Sequence, residues 1–311
     1  MSGLVSDRSD EFGARSDKDD AVTGSDATPN PSCMTAQLTS RALIRVSGVD
    51  AKPFLHNLLT QDVETLADGQ IRFGALLSPP GRLLFDLFLI GDGAAVLLDV
   101  AADRREALMQ RLSMYRLRAQ VEIAADERLI FASWPDVAEG FTADPRTPLL
   151  GGRRYSHSAA ATATEADYDA HRLGVGVPDP ARDMAVDRTY PIEADFDLLN
   201  GIDFHKGCFV GQETTSRMKR RGAIKNRMMP IAFHGPPPAM GAEVLLNGDR
   251  RAGEVMTGVS GGAIALLRLD RIHGALTVEG RLVHVRRPDW MPAEPPPAAS
   301  PTPEAPMPGA N

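Results

Sequence analysis

Short apolar runs bounded by turn residues dominate the chain from about residue 38 onward. In the first half they predict strands at 41–46, 71–77, 82–90, 94–100, 118–124 and 128–134. Two segments with helical apolar spacing predict helices, which Asp50 and Asp103 are expected to cap. Strands joined by hairpins and mixed with helices favour an α+β fold over a doubly wound parallel sheet.

The pattern changes to strands alone from residue 228. Five apolar segments alternate there with Gly, Pro and Asn-Gly turns, and Asn247-Gly248 is a strong hairpin signal. Short strands in such close succession predict a small closed barrel, because closure leaves no exposed edge. Residues 135–180 have a weaker pattern, with one strand near 153–158 and one helix near 165–173.

The two ends of the chain lack a hydrophobic pattern. The first segment is polar and rich in Gly, Ser and Asp, and the last is rich in proline. We therefore predict a disordered tail at 1–34, an α+β domain at 35–227, a β-barrel domain at 228–289 and a Pro-rich disordered tail at 290–311.

Charge and targeting signals narrow the classes of partner. The net charge of −7 provides no overall basic field for nucleic acid or for an anionic membrane. No apolar run approaches the roughly 18–20 residues of a membrane span. The first residues have no apolar signal segment and are rich in Asp, which argues against a secretory signal and a mitochondrial transit peptide. We therefore predict a cytoplasmic location and no membrane partner.

The chain has only two cysteines, Cys33 and Cys208. Two thiols cannot build a four-thiolate zinc or iron–sulfur site, and Cys33 in a flexible tail makes a structural disulfide unexpected. Cys208 lies in the run FHKGCFVGQE, on a turn expected to lead into a helix after Gly211. The helix N-terminus, Lys206 and His205 would favour a thiolate, so Cys208 is a candidate nucleophile or soft-metal ligand. A small buried apolar side chain is the alternative interpretation.

Other polar positions suggest binding. Asp86 interrupts the apolar strand LLFDLFL, where burial without a partner is costly, so it is expected to face a cavity. Glu213 and Arg217 are four residues apart on the predicted helix and either form a surface pair or act as ligands. Six basic residues between Arg217 and Arg227 form either a solvated face or a binding site for RNA phosphates or an acidic protein.

The segment Lys206–Glu213, KGCFVGQE, followed by Arg217 and Arg221-Gly222, resembles the signature of the YgfZ family. This family comprises folate-binding proteins tied to iron–sulfur cluster assembly or repair, related in fold to the T-protein (aminomethyltransferase) of the glycine cleavage system. Segments 46–63, 77–86, 115–123 and 191–194 also resemble the family. The resemblance covers about residues 38–288 and implies an α+β folate-binding module of two interleaved subdomains, followed by a small C-terminal barrel.

The resemblance also implies ligands and roles. It implies tetrahydrofolate in a central cavity, with cations near its glutamate tail, and a transient iron–sulfur cluster contact through Cys208. The candidate catalytic residues are Cys208 and Asp86, and the candidate cofactor-binding residues are Lys206, Gly207, Gln212, Glu213, Arg217, Asp62 and Glu193. No resident metal is expected.

Two functions from different classes are compatible with the resemblance, beside a folate-binding scaffold without chemistry. The first is an accessory factor that binds tetrahydrofolate and acts with iron–sulfur assembly or client proteins, with Cys208 as its working thiol. The second is a folate-dependent one-carbon transferase acting on tRNA, with Asp86 at the reactive carbon. The T-protein's glutamate and asparagine are replaced by Gly174 and Asp99-Val100, which favours an accessory factor over a true aminomethyltransferase.

Overall fold

The computed structural model describes residues 33–222 and 224–292, so almost all of both predicted tails lies outside the described residues. The strands are β1 (Met34–Gln37), β2 (Arg41–Ser47), β3 (Ile71–Leu77), β4 (Leu83–Asp92), β5 (Ala95–Ala101), β6 (Glu122–Asp126), β7 (Leu129–Trp134), β8 (Thr142–Ala143), β9 (Gly152–Ser156), β10 (Asn226–Ala232), β11 (Glu243–Leu246), β12 (Arg250–Val259), β13 (Gly262–Arg268), β14 (Leu276–Val278) and β15 (Arg281–Val285). The helices are α1 (Ala51–Leu58), α2 (Arg105–Arg116), α3 (Glu165–Val175), α4 (Pro180–Asp183) and α5 (Gln212–Arg221).

A five-stranded antiparallel sheet with the order β3-β4-β5-β2-β6 forms the centre of the α+β part. Side chains alternate between its two faces, so Phe85, Leu87 and Leu89 pack in one apolar cluster with residues of α1 and α2. Asp86 and Phe88 point to the opposite face. This alternation directs a charged side chain of β4 into the interior between the two sheets.

The second sheet covers that opposite face and has the order β1-β7-β9-β8. Its strand β1 precedes β2 in the chain, whereas β7 to β9 follow β6, so the chain enters this sheet, leaves it and returns. The apolar cluster between the sheets joins Phe88 of β4 to Trp134 of β7 and Tyr168 of α3. The predicted α+β fold of two interleaved subdomains is confirmed.

The last six strands close into a barrel with the order β10-β13-β12-β11-β14-β15. Its interior is filled by apolar side chains from all six strands. The predicted C-terminal barrel is therefore confirmed, and its strands run from Asn226 to Val285. The domain limits 35–227 and 228–289 stay a prediction.

Three local predictions are wrong. Asp50 precedes α1 but does not cap it with its side chain, which instead accepts a hydrogen bond from the Gln120 N–H at 2.7 Å. Asp103 lies within a short 3-10 turn before α2. The strand expected at 118–124 is β6, shifted toward the C-terminus. In each case a tertiary contact or a turn overrides the local sequence preference.

Candidate functional site

Cys208 is exposed and lies on a loop, residues 203–211, that precedes α5; we call it the thiol loop. The loop is fastened on both sides of the cysteine. The Lys206 Nζ donates to the main-chain oxygens of His56 and Leu59, at 2.6 Å for the latter. Phe209 is inserted into the core between the sheets and is only 8% exposed. The two anchors leave the intervening thiol directed to solvent, so the buried-cysteine alternative is wrong.

Lys206 binds the carbonyl groups at the end of α1, where a helix has unpaired acceptors and partial negative charge. Burial lowers the pKa of Lys206 to about 8, although the carboxylates of Asp62 and Asp203 act in the opposite direction. Cys208 is close enough to interact electrostatically with this ammonium group. Lys206 therefore mainly fastens the thiol loop to the end of α1, and its charge interacts with the carbonyl groups there.

We expect a specific pH dependence from Lys206. Its folded-state pKa of about 8 lies below the ordinary value of 10.5, so the folded protein releases this proton first. The free energy of unfolding of the wild type should therefore rise with pH between these two values. The Lys206→Met variant should lack this rise. Urea denaturation of both proteins on either side of pH 8 measures the difference. A difference in free energy of unfolding between wild type and Lys206→Met that stays constant or decreases as the pH rises would contradict this role.

The end of the thiol loop packs backbone to backbone against the β3–β4 turn. Gly211 has φ +80°, and a Cβ there would lie 2.8 Å from both the Gly81 Cα and the Ser78 carbonyl oxygen. Gly81 also has a positive φ, +87°. Side chains at these positions would separate the turn from the loop. The glycine of the motif therefore joins the thiol loop to the predicted hairpin.

Asp62 supports the thiol loop through His56. It lies 3.0 Å from the His56 Nδ1, and the His56 Nε2 lies 3.9 Å from the position that a Cβ on Gly207 would occupy. Burial raises the pKa of Asp62, but hydrogen bonds donated by Thr65 and Glu64 outweigh this and hold it below its usual value. Asp62 and His56 thus form a polar support next to Gly207.

Gln212 and Glu213 begin α5 and lie beside the thiol loop. A surface groove between the loop and this helix is lined by Phe204, His205, Gln212, Glu213, Ser216, Lys219 and Arg220. Arg217 is exposed, and among the described residues it forms no ion pair with Glu213. The structure therefore brings Lys206, Gly207, Cys208, Gln212 and Glu213 together on one surface, with Arg217 on the same helix.

Two predicted residues lie elsewhere. The Glu193 carboxylate accepts hydrogen bonds from the Asn226 side chain at 2.9 Å and from the Tyr190 N–H at 3.0 Å. These bonds connect residues 190–193 to β10, the first barrel strand. Arg227, the last cation of the basic run, is buried and pairs with Asp195 at 2.7 Å and Asp197 at 2.9 Å. These two side chains stabilise the junction with the barrel.

Asp86 lies in the cavity between the two sheets, as predicted, but it is already paired. It is 6% exposed and accepts a hydrogen bond from the Arg41 Nη1 at 2.8 Å. The Arg41 Nε donates to Asp99 at 2.7 Å. Arg41 thus bridges two buried carboxylates on adjacent strands. Cys208 is not among the residues that line this cavity.

The residues of this central cavity do not fit tetrahydrofolate. A pterin ring needs an apolar slot with a few polar anchors, whereas five arginines and four carboxylates line a cavity of only about 20 Å³. The ring of Phe88 could stack on a pterin, but the Arg153 guanidinium lies 3.7 Å from its centroid. Two buried N–H groups of Arg153 have no hydrogen-bond partner among the described residues and require a polar acceptor.

We expect tetrahydrofolate to bind only very weakly, with a dissociation constant above about 1 mM. Entry of a pterin would displace Arg153 and leave Asp99, 3.6 Å away, with less buried positive charge. An anaerobic calorimetric titration of wild type and Asp86→Asn measures this. Tight binding by wild type that Asp86→Asn loses would restore the folate prediction.

Cys208 is not part of a preformed metal site in the part of the chain that the structure describes. Within residues 33–222 and 224–292, no group of three His, Cys, Asp or Glu side chains is placed to hold a metal ion. The other thiol, Cys33, lies 3.4 Å from the Asp136 carbonyl oxygen at the end of β7. Any iron centre bound through Cys208 must therefore take its other ligands from another molecule.

Comparisons with known proteins address the family and the fold. The family model described as "CAF17, C-terminal beta-barrel domain" matches residues 225–293. The chain is 30% identical to the human protein "Iron-sulfur cluster assembly factor IBA57, mitochondrial", covering 86% of this chain and 88% of that protein. The identity to the Mus musculus protein of the same name is 31%, covering 82% and 85%.

A solved structure also resembles this fold. The glycine cleavage system aminomethyltransferase T from Bartonella henselae superimposes with a TM-score of 0.69 over 83% of this chain and 86% of that chain. The sequence identity is 18%, so this likeness concerns the fold alone.

The predicted cytoplasmic location is wrong by these comparisons, because the human and mouse relatives are named as mitochondrial. The acidic N-terminal segment, which argued against a transit peptide, lies outside the described residues. Among the helices of the described part, none is long and apolar enough to span a membrane.

Proposed function

Because this chain belongs to the family of the iron–sulfur cluster assembly factor IBA57, we propose that it acts in iron–sulfur cluster assembly with Cys208 as its working thiol. The sequence-based assignment is confirmed for the wider family of T-protein-like iron–sulfur assembly factors. The role of the Lys206–Glu213 motif remains part of the proposal. The observation that carries it is the exposure of Cys208 between two buried anchors, Lys206 and Phe209.

The chemistry is ligand exchange at iron. A thiolate is a soft ligand that suits iron–sulfur clusters. Cys208 loses its proton to solvent and forms an Fe–S bond, while a ligand of the incoming cluster leaves iron and takes up a proton. Because Cys208 is the one thiol on this surface within the described residues, the contact is transient or shared with a second molecule that supplies the other ligands.

Two finer alternatives have less support. Tetrahydrofolate binding is disfavoured because arginine side chains line the central cavity and Arg153 covers the ring of Phe88. A one-carbon transferase acting on tRNA would need Asp86 at the reactive carbon, but Asp86 is held by Arg41. No specific observation favours that second function.

Complementation tests the role in cluster assembly. In cells that lack their own member of this family, expression of this chain should restore the activity of enzymes that depend on iron–sulfur clusters. Enzymes without clusters in the same extracts are the control and should not change. Failure to restore activity at a normal protein level would contradict the proposed function.

A further inference from the structure

The exposed side of α5 is strongly basic in an acidic protein. Arg217, Lys219 and Arg220 are exposed on the helix, and Lys225 is exposed just after it. Lys219 is partly neutralised by Asp197 at 3.1 Å. Arg217 and Arg220 form no ion pair with an acid in the described part of the chain. With a net charge of −7 overall, this concentration of unpaired cations is local.

The basic side of α5 adjoins the groove beside the working thiol. Phe204 and His205 of the thiol loop line one side, and α5 lines the other with two cations, Lys219 and Arg220, one carboxylate, Glu213, and the polar side chains of Gln212 and Ser216. Cys208 follows three residues after His205 on the same loop. A molecule lying in this groove would therefore contact cations of α5 and the loop that carries the exposed thiol.

We infer that this groove and the basic side of α5 form a docking surface for a protein whose cluster-bearing face is acidic. The inference rests on the proposed function, because Cys208 needs a second molecule that supplies the other ligands. Thiolate ligands are themselves anionic, so cations beside the contact stabilise a cluster shared between the two proteins. Complementary charge also speeds the encounter and fixes its orientation.

The groove is less suited to single-stranded RNA. Proteins that bind single strands combine cations with aromatic faces on which bases stack. The groove contains one phenylalanine, Phe204, and one histidine, His205, but no Trp or Tyr, and the Lys219 Nζ lies over the Phe204 ring at 5.4 Å from the centroid. One face of the Phe204 ring is thus already covered by the Lys219 ammonium group, and the α5 side of the groove offers only polar and charged side chains.

A thiol-exchange reaction tests the docking surface without knowledge of the partner. The probe is a short oligoglutamate peptide whose single cysteine is activated as a mixed disulfide with thionitrobenzoate. The Cys208 thiolate attacks the peptide sulfur, a new disulfide forms, and coloured thionitrobenzoate leaves. In a Cys33→Ser background, we expect the acidic peptide to react about tenfold faster than an oligoserine peptide at low salt. Added salt should reduce this ratio.

Charge reversal separates local docking from overall attraction. Arg217→Glu with Arg220→Glu should bring the rate ratio of the acidic to the neutral peptide to about one or lower. Arg116→Glu with Arg118→Glu changes the net charge equally at exposed positions near the end of α2 and should leave the ratio unchanged. The neutral peptide reports the intrinsic reactivity of Cys208 in every variant.

Three results would overturn the inference. These are a ratio near one in the wild type, an equal effect of both charge reversals, and protection of Cys208 by an oligouridine strand but not by glutamate peptides. The last would identify the surface as a nucleic-acid site. If complementation fails while the acidic peptide still gains its rate advantage, the proposed function is wrong and the docking surface stands.

Discussion

Replacing Gly211 by alanine is expected to lower the free energy of unfolding by about 3 kcal/mol. The backbone there has φ +80°, which costs an L-residue about 1–2 kcal/mol. The new methyl group would also lie 2.8 Å from the Gly81 Cα and the Ser78 carbonyl oxygen, so the hairpin turn or the thiol loop must move. Urea denaturation measures the loss.

Gly222→Ala is the matched control for this prediction. Gly222 has φ +60°, but a Cβ there would have no atom of the described, non-adjacent residues within 4 Å, so only the backbone cost of about 1 kcal/mol applies. The difference between the two variants isolates the packing of the turn against the loop. Equal losses would show that this packing does not stabilise the protein.

Replacing Cys208 by serine is expected to abolish the function while leaving the fold intact. In the complementation assay, cluster-dependent enzymes should fall to their activity in cells without the protein, because a serine oxygen is a poor substitute for a thiolate on iron. The side chain is exposed, so the melting temperature should change by less than about 1 °C.

Cys33→Ser controls for general effects of thiol loss. Cys33 lies against the Asp136 carbonyl at the end of β7, and its substitution should leave the cluster-dependent enzymes fully active. Normal activity with Cys208→Ser, at equal protein level, would remove this thiol from the mechanism.

The sequence predicted those features of the fold that depend on local periodicity and turns. Asp86 was expected to face a cavity because burial without a partner is costly; it does line one, but Arg41 is its partner. The Ser78–Gly81 turn formed the expected hairpin. Closely spaced strands after residue 228 predicted the closed barrel. The helix after Gly211 was also predicted, because glycine is followed there by good helix formers.

The sequence could not reveal contacts between distant segments. Arg153 covers the ring of Phe88 although 65 residues separate them, so the filling of the cavity could not be deduced from either strand. Lys206 was expected to act on the thiol, and its bonds to the end of α1 depend on residues far away in the chain. Arg227 belonged to a basic run by spacing, yet strand β10 turns it toward buried Asp195.

The sequence contained only a weak indication of how the thiol loop is held in place. Gly81 and Gly211 both follow turn-forming segments, and two such glycines are compatible with close backbone contact. Their pairing across 130 residues still required the structure. The position of His56 next to Gly207 also required the structure. The spacing of His56 from the other histidines is not that of metal ligands and gave no indication of a site.

Protection of Cys208 from alkylation tests most directly whether this thiol binds iron–sulfur clusters. Native protein is treated anaerobically with iodoacetamide, with and without a glutathione-bound [2Fe–2S] complex, and labelling at each cysteine is measured by mass spectrometry. A cluster-binding Cys208 predicts rapid labelling without the complex, protection with it, and recovery after iron chelation, while Cys33 is unaffected. Labelling of Cys208 at the same rate with and without the complex would contradict the assignment.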